Sequence, residues 1–162
     1  GYDERLVRNQ DNEMNYRIRK NGGKIYLSDN IHLSYYCRDS IKGIAQMARK
    51  NGMWNIITMK LCPGSMGLRH FIPFLFVVSI VALALLGLIH WLFWAVLSFE
   101  VVLYLLLDVF FSVKSGATAK ERLLLIVLFP IFHISYGVGS IGGLFKICTK
   151  KYRKNRYTPK SI

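Results

Sequence analysis

Arg8-Asn9-Gln10-Asp11-Asn12-Glu13-Met14-Asn15-Tyr16-Arg17-Ile18-Arg19-Lys20-Asn21-Gly22 is the stretch from which the fold is read. It predicts a short helix with an acidic first turn. Asn9 or Asp11 can cap its free N–H groups. Glu13 and Arg17 stand at i, i+4, in the favourable order for a surface pair. Met14 and Ile18 repeat that spacing as a small apolar stripe, and Gly22-Gly23 ends the helix. Asp11 is then held near a helix start by backbone donors. It is either a cap or an acid offered to a reaction.

These residues resemble the second half of a family 2 glycosyltransferase of the succinoglycan type, which make exopolysaccharide. There the stretch commonly reads Arg-Asn-Glu-Asp, a Glu two residues on, then Tyr-Arg and a basic residue before Gly. Gly1-Tyr2-Asp3-Glu4 is similar to the Gly-Phe-Asp-Glu that leads into it. The resemblance implies that Asp11 is the catalytic base. Gln10 stands where the family commonly has Glu. A carboxylate suits the role, because inverting transfer needs a proton removed from the acceptor hydroxyl as it attacks the anomeric carbon.

The 162-residue chain has a net charge of +13 and 52% hydrophobic residues, with a mean hydropathy of +0.29. Most apolar residues lie after Leu68. Basic charge beside long apolar runs points to anionic membrane lipids rather than nucleic acid. Cys37, Cys62 and Cys148 are odd in number and far apart. They form neither a disulfide framework nor a metal motif.

After the acidic helix, Lys24-Ile25-Tyr26-Leu27 and Ile31-His32-Leu33-Ser34-Tyr35-Tyr36 predict a short strand pair about the turn Ser28-Asp29-Asn30. The expected fold class is therefore an α/β fragment followed by α-helical membrane segments, and the resemblance implies that the fragment is the latter part of a GT-A fold. A second helix runs over 41–62, capped by Asp39 or Ser40 and weakened or broken at Gly52. Lys42, Arg49, Lys50 and Lys60 make one side basic. It is either an interfacial helix or an ordinary amphipathic helix packed on its own domain.

Gln46 and Arg49 match the first and fourth letters of the Gln-x-x-Arg-Trp signature of processive members of the family. Lys50 replaces the Trp, and Trp54 follows four residues later. The resemblance implies that Arg49, with Gln46, holds the diphosphate or acceptor, and that Trp54 is a stacking platform. Guanidinium pairs phosphate oxygens in bidentate fashion, which suits Arg49.

Residues 1–62 thus form the last part of a cytoplasmic domain, and 63–70 a hinge. The membrane region is 71–147, with helices about 71–89, 91–113 and 123–147. Glu100 and Asp108 lie on one face of the second. They either pair with a third helix or contact a polar lipid-linked acceptor. Ser135, Gly139 and Gly143 form a small-residue face that lets another helix approach. The tail 148–162 is basic and cytoplasmic by the positive-inside rule. Three full crossings would put it outside, so either the last segment does not cross, being re-entrant or lying at the interface with its kink at Pro130, or the tail departs from the rule.

No Asp-x-Asp occurs, nor a phosphate loop, a Ser/His/Asp set or a zinc signature. The resemblance implies that a donor-binding half precedes residue 1 and carries the ligands for Mg or Mn. It also implies that this part alone is inactive. The expected protein is a multi-pass cell-membrane transferase with its catalytic part cytoplasmic. It moves sugar from a nucleotide diphosphate donor to a lipid-linked or polysaccharide acceptor. The alternative is a non-catalytic anchor that binds a partner through the Gly139/Gly143 face.

Overall fold

The computed structural model describes residues 1–149. Five α-helices follow in order: α1 Gln10–Lys20, α2 Ile41–Leu61, α3 Ile72–Gly87, α4 Leu92–Ser115 and α5 Ala119–Thr149. A 3-10 turn, Leu68–Phe71, leads into α3.

The expected α/β character is corrected. The described residues are helical or irregular, and neither 24–27 nor 31–36 is a strand. Tyr26, Leu27, Ile31, Leu33, Tyr35 and Tyr36 are all exposed. A two-stranded pair is marginal without a third strand or a covering helix, and neither lies over these runs. The turn does form, with the Asn30 amide donating to Ser28 Oγ at 3.3 Å.

The first two helices keep their expected extents. The Ser40 side chain caps α2 by accepting from the Gly43 amide at 3.2 Å. Gly22, at φ 79°, closes α1 in the left-handed region that suits glycine. Gly52 does not break α2. It lies where α5 crosses, and a Cβ there would collide with the Tyr136 carbonyl oxygen. Tertiary packing overrides its poor helix propensity.

α2 and α5 share the most extensive helix–helix contact. Gly139 lies against the Arg49 carbonyl and Gly143 against that of Met53. The small-residue face of α5 is therefore filled by α2 of the same chain. A compact core of Leu6, Ile57 and Leu61, flanked by Met53, Trp54 and Ile147, closes the end of this pair.

α3, α4 and α5 are each long and apolar enough to cross a membrane. Leu75, Val81, Leu85, Phe99, Leu106 and Phe110 are exposed along α3 and α4. An apolar surface that large needs a hydrocarbon or protein cover. The two helices pack antiparallel. Gly87 lies against the Trp94 ring, Ser79 Oγ donates to Glu100 Oε1 at 2.6 Å, and Phe76 stacks on Tyr104.

α5 runs unbroken through Pro130 for 31 residues. Its Tyr104 partner is His133, with Oη and Nδ1 2.9 Å apart. One turn on, Gly137 lies against Pro73 and Val77 at the start of α3. The basic residues from Lys150 to Lys160 lie outside the described residues.

Candidate functional site

Asn9 is not a side-chain cap. It takes φ 62°, a left-handed conformation that asparagine tolerates better than most residues. Its side chain turns instead to α2. Nδ2 donates to Asn55 Oδ1 at 2.6 Å and to Thr58 Oγ1 at 3.3 Å. Arg8 Nη1 donates to Asn51 Oδ1 at 2.6 Å. Asn51, Asn55 and Thr58 stand at i, i+4, i+7 and form a polar ridge on α2. Asn55, only 4% exposed, also donates to the Tyr136 hydroxyl of α5.

The acids of α1 divide sharply. Glu13 is 1% exposed and accepts two hydrogen bonds from Arg17, at 3.1 Å from Nε and 3.0 Å from Nη2. The Gln10 side chain donates to the Leu6 carbonyl. Asp11 is exposed. Its side chain makes no hydrogen bond or ion pair among the described residues, which corrects the expectation of backbone donors holding it. Asp3, ahead of the helix, is buried and paired with Arg5 at 2.6 Å. Hydrogen bonds from the Arg5 side chain hold its carboxyl below the ordinary carboxylate value, against the effect of burial.

Gln46 and Arg49 line a cleft of about 480 Å³ between α2 and α5. Lys50 and Met53 continue its α2 wall, and Gly139, Gly142 and Lys146 form the α5 wall. At 3.6 residues per turn, the α2 wall faces nearly opposite to the Asn51–Asn55–Thr58 ridge. Asp11 is not a lining residue. The structure thus joins Gln46 to Arg49 and sets Asp11 on another side of α2. Trp54 is in neither place; it packs partly buried against Leu6, Ile57 and Leu61.

The wall residues Lys50, Met53, Gly142 and Lys146 were not singled out as a site by the sequence. The i, i+3, i+4, i+7 spacing of 46, 49, 50 and 53 was the available signal. The relay from Asn9 through Asn55 to Tyr136 had no signal at all.

In the membrane region, Glu100 is matched by Ser79. Asp108 is 5% exposed. Its Oδ1 accepts from Ser112 Oγ at 3.3 Å, and its Oδ2 has no hydrogen-bond partner among the described residues. No described cluster of His, Cys, Asp or Glu could hold a metal ion. The described residues do not fit Mg or Mn.

No protein-family model matches the chain. No curated protein and no solved structure matches it either.

Proposed function

We propose that this chain is the membrane-anchored, acceptor-side part of a family 2 glycosyltransferase, with Asp11 as general base. The reading rests on the resemblance of residues 1–22, and one structural observation carries it further. Asp11 is the acid of α1 left open to a substrate, while Asn9, Gln10 and Glu13 are committed to holding the helix. In the reaction, Asp11 takes the proton of an acceptor hydroxyl. The freed oxygen bonds to the anomeric carbon, and the nucleotide diphosphate leaves with the electron pair of the broken glycosidic bond. The acceptor is lipid-linked or a growing polysaccharide. Arg49 and Gln46 lie on α2, in a cleft that Asp11 does not line, and no step of the transfer is assigned to them.

We place α3 and α4 across the cell membrane, with α1 and α2 on the cytoplasmic side. Three residues separate the end of α4 from the start of α5. By the antiparallel pairing of α3 and α4, that is the end where α3 begins. Gly137 again lies against the first turns of α3. Both points of α5 are on one side, so α5 runs obliquely and its C-terminal half returns to α2. This placement returns the end of α5, at Thr149, to the side of α2.

The anchor alternative loses its expected docking face, since α2 occupies Gly139 and Gly143. The deciding experiment replaces Asp11 by Asn in the natural polypeptide that carries this chain and measures sugar transfer. Losing one general base slows such a step by about 10²–10⁴-fold. Wild-type transfer by a correctly folded Asp11→Asn protein would remove Asp11 as the base.

A further inference from the structure

We infer that the cleft between α2 and α5 is a binding site for the phosphate headgroup of an anionic bilayer lipid. The site rests on the membrane placement proposed above and is independent of glycosyl transfer. Among the described residues, three cations, Arg49, Lys50 and Lys146, line it, and no acid does. Gln46 adds an amide that can donate to a phosphate oxygen. The floor is built by glycine. Gly139 brings the backbones together, and a Cβ on Gly142 would meet nothing within 4 Å. The space of about 480 Å³ is thus kept open at the point where the cations converge.

Position favours lipid over a soluble phosphate. Gly137 touches Pro73 where α3 begins, and Gly142 and Lys146 follow it by one to three turns. That level is where headgroups lie. Val138 and Phe145 stand at i−4 and i+3 from Gly142, on the flank of α5 beside the cleft. Both side chains are exposed and offer an apolar track for acyl chains. Basic pockets beside membrane helices on the cytoplasmic side bind anionic headgroups by this combination of charge and depth.

The test uses the purified chain in nonionic detergent, titrated with phosphatidylglycerol, phosphatidylcholine or glycerol 3-phosphate and followed by native mass spectrometry. Phosphatidylglycerol should bind at least about tenfold more tightly than either of the others. Replacing Lys50→Gln with Lys146→Gln should weaken it about thirtyfold, from roughly fivefold per cation. Gly142→Leu fills the cleft while leaving every charge in place, and should weaken it about as much as losing one or both cations. Lys42→Gln with Lys60→Gln removes the same charge from α2 outside the cleft and should change binding by less than about twofold.

Equal losses in the two double variants, or unchanged binding in Gly142→Leu, would overturn the site. Glycerol 3-phosphate binding as tightly as phosphatidylglycerol would overturn the lipid assignment. Should Lys50→Gln with Lys146→Gln fail to fold, Gly142→Leu still decides, because its added side chain enters open space. An Asp11→Asn protein that binds phosphatidylglycerol normally would separate this site from the catalytic reading.

Discussion

Gly139 and Gly142 are three residues apart on α5, yet alanine should act on them with opposite sign. At Gly142 a Cβ enters open space. The variant gains the helix propensity of alanine, about 0.5–1 kcal/mol. At Gly139 the Cβ would collide with the Arg49 carbonyl oxygen. That oxygen belongs to the hydrogen-bond ladder of α2 and cannot swing away, so the whole helix must shift. Overpacking of this kind costs about 1–3 kcal/mol, partly offset by the same propensity gain. The two variants should therefore differ by about 1–3 kcal/mol, which is roughly 2–12 °C of melting temperature in a chain of this size. Thermal unfolding in mild detergent, followed by circular dichroism, measures it. A Gly139→Ala protein that melts with or above Gly142→Ala would refute the α2–α5 crossing, and with it the lipid cleft beside that crossing.

Asn55→Ala should destabilise the fold by about 2–3 kcal/mol, because it removes two hydrogen bonds and strands the hydroxyl of buried Tyr136. In a double-mutant cycle with Tyr136→Phe the losses should couple by more than about 0.5 kcal/mol; simple additivity would count against the bridge. Cys37 and Cys148 are exposed and should react with a membrane-impermeant thiol reagent from the same side. Labelling from opposite sides would show that α5 crosses. Cys62 is half-buried and burial pushes its thiol up, so it should react more slowly. Arg5 lowers the carboxyl of Asp3, so its contribution to stability is present above the unfolded value, about 3.9, and is lost as pH falls through the lower folded value. Acid unfolding should show a shallower loss in Asp3→Asn, and an unchanged acid limb would refute the linkage.

Local grammar made the helices legible. Ser40, the Glu13–Arg17 pair and Gly22 each act within one turn of where the pattern puts them. Long apolar runs marked α3 to α5 in the same way. The strand pair failed because alternation records only that a strand would be amphipathic, and no cover lies over Tyr26 or Tyr35 to bury its apolar side. The expected side-chain cap of α1 failed at Asn9 because that residue has a better partner 46 positions away, in Asn55. Gly52 misled for the converse reason: its penalty is local and its benefit is a contact with Tyr136. Half of the cleft's polar wall was visible in Gln46 and Arg49. Lys146 was hidden, since in sequence it counts only as one more charge before a basic tail.

The contacts make α2, rather than α1, the element on which the others depend. One of its faces receives Arg8 and Asn9, and the opposite side receives the glycines of α5. Asn55 reaches both, accepting from Asn9 and donating to Tyr136. The residue after Tyr136 is Gly137, which lies against Pro73 where α3 begins. Asp11 is two residues from Asn9, so a short series of contacts links its position to the first turn of α3. A buried polar relay specifies position only when each member is satisfied, and Asn55 has a partner for both its oxygen and its nitrogen. Loosening Tyr136 should therefore displace Asp11 relative to α3 without touching α1 itself.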